Sequence, residues 1–266
     1  MIDISPDDTL RHLTNAIRPL FAGLSIAALT FSVTACDDGT RRSRPSYEEA
    51  SAAPYQSEVD EGLGAAVAIL IDTSGSMGQA APGDNRPKAA VAREALEAMF
   101  DATESLVAKR PEFAVKVGIY SFSSDASTVL SMQPFDRAVV RGALARVPNP
   151  GGGTAIGEAM YTARPDLYRS GVFRKYLLVV TDGENTSGRS PDEVAHDIFQ
   201  KSEGAVAIYF VAFDTSADRF AFLKQVKGDV IGAANAPELN KALDEIYQGR
   251  ILAEVSPLGE REPDSR

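Results

Sequence analysis

The chain has 266 residues, of which 44% are hydrophobic and 24% charged, enough apolar material for one or two folded domains and too much for a disordered or fibrous chain. Its 27 Lys and Arg against 37 Asp and Glu give a formal net charge of -10, which excludes the phosphate-neutralising surface that nucleic-acid binding needs. A single cysteine, Cys36, and two histidines exclude an intrachain disulfide, a cysteine-based zinc cluster and a histidine-rich metal centre.

Residues 20–35 form an uncharged, mostly apolar run preceded by Arg11 and Arg18. The run is short for a membrane span but fits the core of a secretory signal. It ends Val33-Thr34-Ala35-Cys36, which resembles a bacterial lipobox. That resemblance implies a signal peptide over residues 1–35, a diacylglycerol on Cys36 and cleavage just before it. An uncleaved anchor and an ordinary cleaved signal remain open beside it. Each of the three exports the rest of the chain from the cytoplasm, and the lipid-anchored reading places it in the bacterial cell envelope. Asp37 resembles the inner-membrane retention signal of some Gram-negative bacteria, which favours that leaflet.

Residues 36–63 are rich in Pro, Ser, Arg and acids, with almost no large apolar side chain, and are expected to form a disordered tether. As a coil its 26 residues from 37 to 62 span roughly 30 Å. A folded domain is expected over 64–250 and a polar tail over 251–266. The Glu48, Glu49 and Glu58 acids read as a solvated linker.

Within the domain, strand-like and helix-like runs alternate. Residues 65–71 are continuously apolar, as in a parallel strand covered on both faces. Over 88–108 the positions Ala92, Leu96, Met99, Thr103 and Leu106 share one helical face. Strands are expected at 113–122 and 127–132, helices at 137–146 and 155–163, and a strand at 176–181. Ser190-Pro191-Asp192-Glu193 reads as an N-cap, a first-turn proline and a capping box. A strand at 206–213, a helix at 218–227 stopped by Gly228, a short strand at 230–233 and a helix at 238–247 complete the series. Phe210, Phe213, Phe220 and Phe222 fall at core spacings, and His196 reads as a structural or surface residue of a helix. The alternation predicts an α/β fold, a doubly wound open and mostly parallel sheet with helices on both faces. Such sheets bind ligands beyond the carboxyl ends of their strands.

Two segments fall at such ends, Asp72-Thr73-Ser74-Gly75-Ser76 and Thr181-Asp182-Gly183-Glu184-Asn185, and between them lies the glycine-rich turn Gly151-Gly152-Gly153-Thr154. Together they resemble the von Willebrand factor A domain and its metal-ion-dependent adhesion site, Asp-x-Ser-x-Ser with a later Thr and a later Asp. The resemblance covers about residues 64–250. It implies that Ser74, Ser76 and Thr154 hold Mg²⁺ or Mn²⁺ directly, while Asp72 and Asp182 act mostly through water. An oxygen-only donor set suits such a hard cation. Neutral hydroxyls leave it electron-poor, so that it attracts an exposed Asp or Glu of a partner protein. The residues alone also admit a capped helix start at DTSGS, and turn-forming or specificity roles for Glu184 and Asn185.

Two other readings stand beside this one. A scaffold of the same fold would hold its partner away from the metal. A haloacid-dehalogenase-type phosphohydrolase would use Asp72 as nucleophile, Thr154 and Lys175 as phosphate contacts and Asp182 as metal ligand. Ser74 and Thr186 stand where that chemistry needs acids, so the expectation is a binding module and not an enzyme.

Overall fold

A computed structural model of the protein describes residues 62–252. The central element is β1 (Gly62–Asp72), whose apolar run is buried on both faces from Gly64 onward. It is flanked in parallel by β2 (Ala114–Phe122) and β4 (Val172–Thr181). Beyond β4 lie β5 (Val206–Phe213) and β6 (Gly228–Ala233), also parallel. Beyond β2 lies β3 (Ala126–Pro134), antiparallel and largely outside the core, closing one edge. The order is therefore β3-β2-β1-β4-β5-β6, a six-stranded, mostly parallel sheet as the alternation predicts.

Alternate residues of the strands feed two cores. On one face Val67, Ile69, Val117 and Leu178 pack with Leu96, Met99 and Phe100 of α1 (Lys88–Lys109). Val140 and Leu144 of α2 (Arg137–Leu144) and Leu239 and Leu243 of α5 (Ala236–Ile246) join them. On the other face Ala68, Leu70, Val179 and Phe210 pack with Ile156, Met160 and Leu167 of α3 (Ile156–Tyr168) and with Val194 and Ile198 of α4 (Pro191–Lys201). Small residues at Ala66 and Ala68 let α3 lie close to the centre of the sheet.

Four local expectations need correction. The segment expected as a helix over 218–227 is a 3-10 stretch, Ala217–Gln225, with a non-helical Phe220. The link buries both Phe220 and Leu223, and a short 3-10 path with a kink keeps the i, i+3 pair on one side as an α-helix would. Gly228 is not a helix stop but the first residue of β6; a Cβ there would lie 2.8 Å from Ile208 O on the adjoining strand. Ser190 occupies the N-cap of α4 and Pro191 its first turn, yet the Ser190 side chain makes no capping hydrogen bond. Helix α3 runs five residues past its expected end, and Pro165 is accommodated within it.

The chain order reverses at β1, which is followed by β2 on one side and bordered by β4 on the other. Ile71 pairs with Val180 across this junction, so Asp72 and Asp182 emerge together at the crevice where doubly wound sheets bind ligands.

Candidate metal centre

Asp72 ends β1 and turns the chain with its own side chain. One carboxylate oxygen accepts the Ser74 N–H at 2.7 Å, an Asx-type turn that aims the next residues across the sheet end. The other accepts from Thr181 Oγ1 at 2.6 Å, tying β1 to β4. Asp72 is fully buried, and burial raises its carboxyl above the usual range against the opposing pull of the Thr181 and Ser74 hydrogen bonds. With both oxygens engaged, it positions the loop rather than reaching for an ion.

The turn presents Ser74 and Ser76 on one side, their hydroxyls 3.1 Å apart. Ser76 Oγ donates to Asp182 Oδ1 at 2.7 Å, a bond between residues 106 positions apart. Thr73 points the other way, its Oγ1 donating to Phe122 O at 2.9 Å. The alternation of DTSGS thus sorts itself: Ser74 and Ser76 face the crevice, while Thr73 fastens the loop to β2.

The glycine triplet closes the third side. Gly151 N donates to Thr73 O and Gly75 N to Gly152 O, so the two loops are laced by their backbones. Gly152 has φ +79, and a Cβ there would lie 2.7 Å from Ser124 Oγ, so this position requires glycine. The lacing delivers Thr154, whose N–H donates to Thr186 Oγ1 at 2.8 Å and whose carbonyl accepts the Thr186 N–H at 2.8 Å. A Cβ on Gly183 would stand 3.9 Å from Thr154 Oγ1, so that hydroxyl lies beside the Asp182-Gly183 turn.

The structure adds a residue the sequence reading missed. Lys88, the first residue of α1, is 5% exposed, and its ammonium lies 3.0 Å from Asp182 Oδ2 and 2.7 Å from Asp214 Oδ2. Burial alone lowers the lysine's pKa, but the hydrogen bonds to Asp214 and Asp182 outweigh it and hold the group above its ordinary value. Asp214 follows β5 with φ +53, a left-handed conformation Asp tolerates better than most residues. A cation at a helix N-terminus opposes the helix dipole, and that misplaced charge was the available signal.

Among the described residues no three or more His, Cys, Asp or Glu gather as a metal cage. The donors brought together are instead three hydroxyls and one carboxylate, with a second carboxylate behind them. This oxygen-only set fits a hard divalent cation. The ammonium already held against Asp182 marks the crevice as a seat for positive charge.

The remaining candidates separate. Lys175 lies on β4, seven residues back from Asp182, about 23 Å toward the opposite end of the sheet at strand spacing. It therefore cannot share a phosphate with Asp72 and Thr154. Asn185 holds its own loop, accepting from Gly157 N and donating to Ser187 O and Arg189 O, whereas exposed Glu184 pairs with Arg219. His196 pairs with Asp192 on α4. Cys36 and the apolar run 20–35 lie outside the described residues. Among the described residues no helix is long and apolar enough to cross a membrane.

An α/β sheet carrying an oxygen-lined crevice at its switch point defines a class of domain. Residues 66–247 match the model of the von Willebrand factor type A domain, and the chain belongs to that family. Solved structures share the fold. The D319A mutant of the PilB minor pilin from Streptococcus sanguinis superposes with a TM-score of 0.60 at 14% identity, over 76% of this chain and 65% of the pilin. Proximal thread matrix protein 1 from the mussel byssus, with a zinc-occupied MIDAS motif, gives 0.53 at 18% identity, over 71% of this chain and 46% of that protein. BatB from Bacteroides thetaiotaomicron gives 0.52 at 22% identity, over 73% of this chain and 98% of BatB. No curated protein matches the sequence.

Proposed function

We propose that this domain is a cation-dependent protein-binding module, carried on the exported side of the bacterial envelope by a lipid anchor at Cys36. The observation that carries the reading is the hydrogen-bonded chain Ser74–Ser76–Asp182, with the Thr154 hydroxyl beside the Asp182-Gly183 turn on the loop laced to it. Ser74, Ser76 and Thr154 would hold Mg²⁺ or Mn²⁺, with Asp72 and Asp182 behind them. The zinc-occupied site in the mussel protein supports the capacity of this fold for a divalent ion.

A bound divalent ion supplies a Lewis-acidic seat for a carboxylate of the partner. The chain's own residues prepare it. Asp72 fixes the Ser74 backbone, the glycine lacing fixes Thr154, and Lys88 balances Asp182 in the absence of a divalent ion. Asp214, already bonded to Lys88, gives the ammonium a place to remain when Asp182 turns to another cation. Neutral hydroxyls as donors leave such an ion undercompensated, which favours an Asp or Glu of the partner as the last ligand. No step of this account forms or breaks a covalent bond, so we read the domain as a binding module and not an enzyme.

The test is capture from envelope extracts by the purified chain, with Mg²⁺ and with EDTA, in wild type and Thr154→Ala. The reading requires a captured protein that EDTA releases and Thr154→Ala loses. Capture indifferent to both would move the partner to another face of the fold. The anchor is tested separately by fatty-acid labelling, which Cys36→Ser should abolish.

A further inference from the structure

The end of the sheet opposite the metal crevice carries its own pattern. Among the described residues three large apolar side chains are exposed, Leu63, Val139 and Phe173, and two of them lie at the same end of neighbouring strands. The pairings Gly62↔Val172 and Ala65↔Arg174 bracket an irregularity of register in which Leu63 and Gly64 of β1 stand against Phe173 of the adjacent strand β4. Leu63 is 84% and Phe173 70% exposed. Single exposed apolar residues are unremarkable, but two at one end of neighbouring strands are a local feature.

Around this pair the charge is inverted relative to the chain as a whole. Lys109, Arg169, Arg174 and Lys227 lie at this end, on the α1–β2, α3–β4 and β5–β6 connections and the start of β4, and Lys109, Arg169 and Lys227 are exposed. The exposed acids at this end are Glu112 on the α1–β2 connection and Glu203 on the α4–β5 connection. The far end instead carries Asp72, Asp182 and Asp214 at the crevice with exposed Asp125 and Glu184. In a chain of net charge -10, a basic pole with two apolar tips is a localised feature rather than a property of the composition.

This pole is also where the chain enters the domain. Gly62 is the first residue of β1, and the 26-residue stretch from 37 to 62 joins it to the apolar run 20–35. We infer that the Leu63–Phe173 pole docks on an anionic phospholipid bilayer, its apolar tips entering the interface and Arg174 and Lys227 meeting lipid phosphates. The inference rests on the anchor reading for its local lipid concentration. Basic side chains are drawn to an anionic leaflet, and a patch of this kind supplements an acyl anchor. From Phe173 to Asp182 is nine residues of extended chain, about 30 Å at strand spacing. Docking by this pole therefore turns the metal crevice directly away from the membrane, toward a partner approaching from the aqueous side.

The chain contains no tryptophan, so Phe173→Trp and Asn149→Trp each create a single reporter, the first at this pole and the second exposed on the loop preceding the glycine triplet. The full chain carrying either substitution is reconstituted into vesicles of phosphatidylcholine with or without phosphatidylglycerol, and quenching by brominated lipid is measured. With phosphatidylglycerol, Phe173→Trp should be quenched at least about two-fold more than Asn149→Trp, and high salt should erase the difference. Adding Arg174→Glu and Lys227→Glu should erase it at low salt as well. Protein that floats with the vesicles while both reporters remain equally unquenched overturns the docking and leaves the anchor standing. Protein that fails to float overturns both. Strong Phe173→Trp quenching that ignores phosphatidylglycerol and salt overturns the charge recognition proposed here.

Discussion

Lys88 and Asp182 are joined by a 3.0 Å contact across 94 residues, and the second oxygen of the same carboxylate is held by Ser76 at 2.7 Å. The candidate metal centre therefore contains a built-in cation at one of its acidic residues. Asp182 is never left as an uncompensated buried charge, and the crevice keeps its shape without a divalent ion.

Lys88→Met should separate the two roles of this lysine. Breaking a buried ion pair while leaving one charge behind costs about 3–5 kcal/mol. In EDTA the variant should melt well below wild type. With Mn²⁺ the gap should narrow, and calorimetric titration should show tighter Mn²⁺ binding than wild type, because no ammonium competes for Asp182. Unchanged Mn²⁺ affinity would mean that Lys88 does not compete with the ion.

Asp214→Asn should act in the opposite direction. Asn tolerates the left-handed backbone at this position, so the turn after β5 should survive. Lys88 then has Asp182 as its remaining carboxylate and holds it more firmly. Mn²⁺ affinity should fall by about 3- to 10-fold, up to about 1.4 kcal/mol, with little change in melting temperature without metal.

Gly157→Ala tests how the 185–190 loop is supported. A Cβ at this position on α3 would lie 2.2 Å from Arg189 O, a backbone atom that cannot step aside cheaply. The expected loss is about 2–4 kcal/mol, measured by chemical denaturation, with weaker Mg²⁺ response because Asn185 loses its bond to Gly157 N. A stability within about 0.5 kcal/mol of wild type would show that the loop packs less closely than described.

Tyr247, wholly buried beyond the end of α5, gives the pH dependence. Burial pushes its phenol up to about 12 from an ordinary value of 10.0. The unfolded chain releases this proton near pH 10 while the folded chain retains it, so stability is lost as pH rises from 10 toward 12. The shift corresponds to about 2–3 kcal/mol. Tyr247→Phe should flatten that part of the alkaline decline in a urea-midpoint series, and an unaltered slope would contradict the assignment.

The sequence revealed most where burial leaves a continuous signature. Strand β5 falls on its predicted limits because Val206–Phe213 is apolar throughout, and the buried face of α1 follows from Ala92, Leu96, Met99 and Thr103. Two pieces of the five-residue constellation follow strands β1 and β4, and the third lies on the loop between α2 and α3. Phe220 and Leu223 misled, since helical spacing cannot distinguish an α-helix from a kinked 3-10 path that buries the same side chains. Lys88 was invisible as a site residue for a different reason. Its partners Asp182 and Asp214 reach it only through the closure of β4 and β5 onto β1, and no local pattern encodes that contact. The Leu63–Phe173 pair likewise depends on register between β1 and β4.

The most direct test of the divalent seat is the melting temperature of the purified chain across a Mg²⁺ and Mn²⁺ titration. Binding to the folded state alone should raise it by mass action, with about 2.7 kcal/mol gained at a hundred-fold excess over Kd. Asp72→Ala and Ser76→Ala should each abolish the rise, Ser76→Ala from a nearly native starting stability. A wild-type melt that stays flat through millimolar Mg²⁺ and Mn²⁺, or an equal rise in Ser76→Ala, would contradict the account.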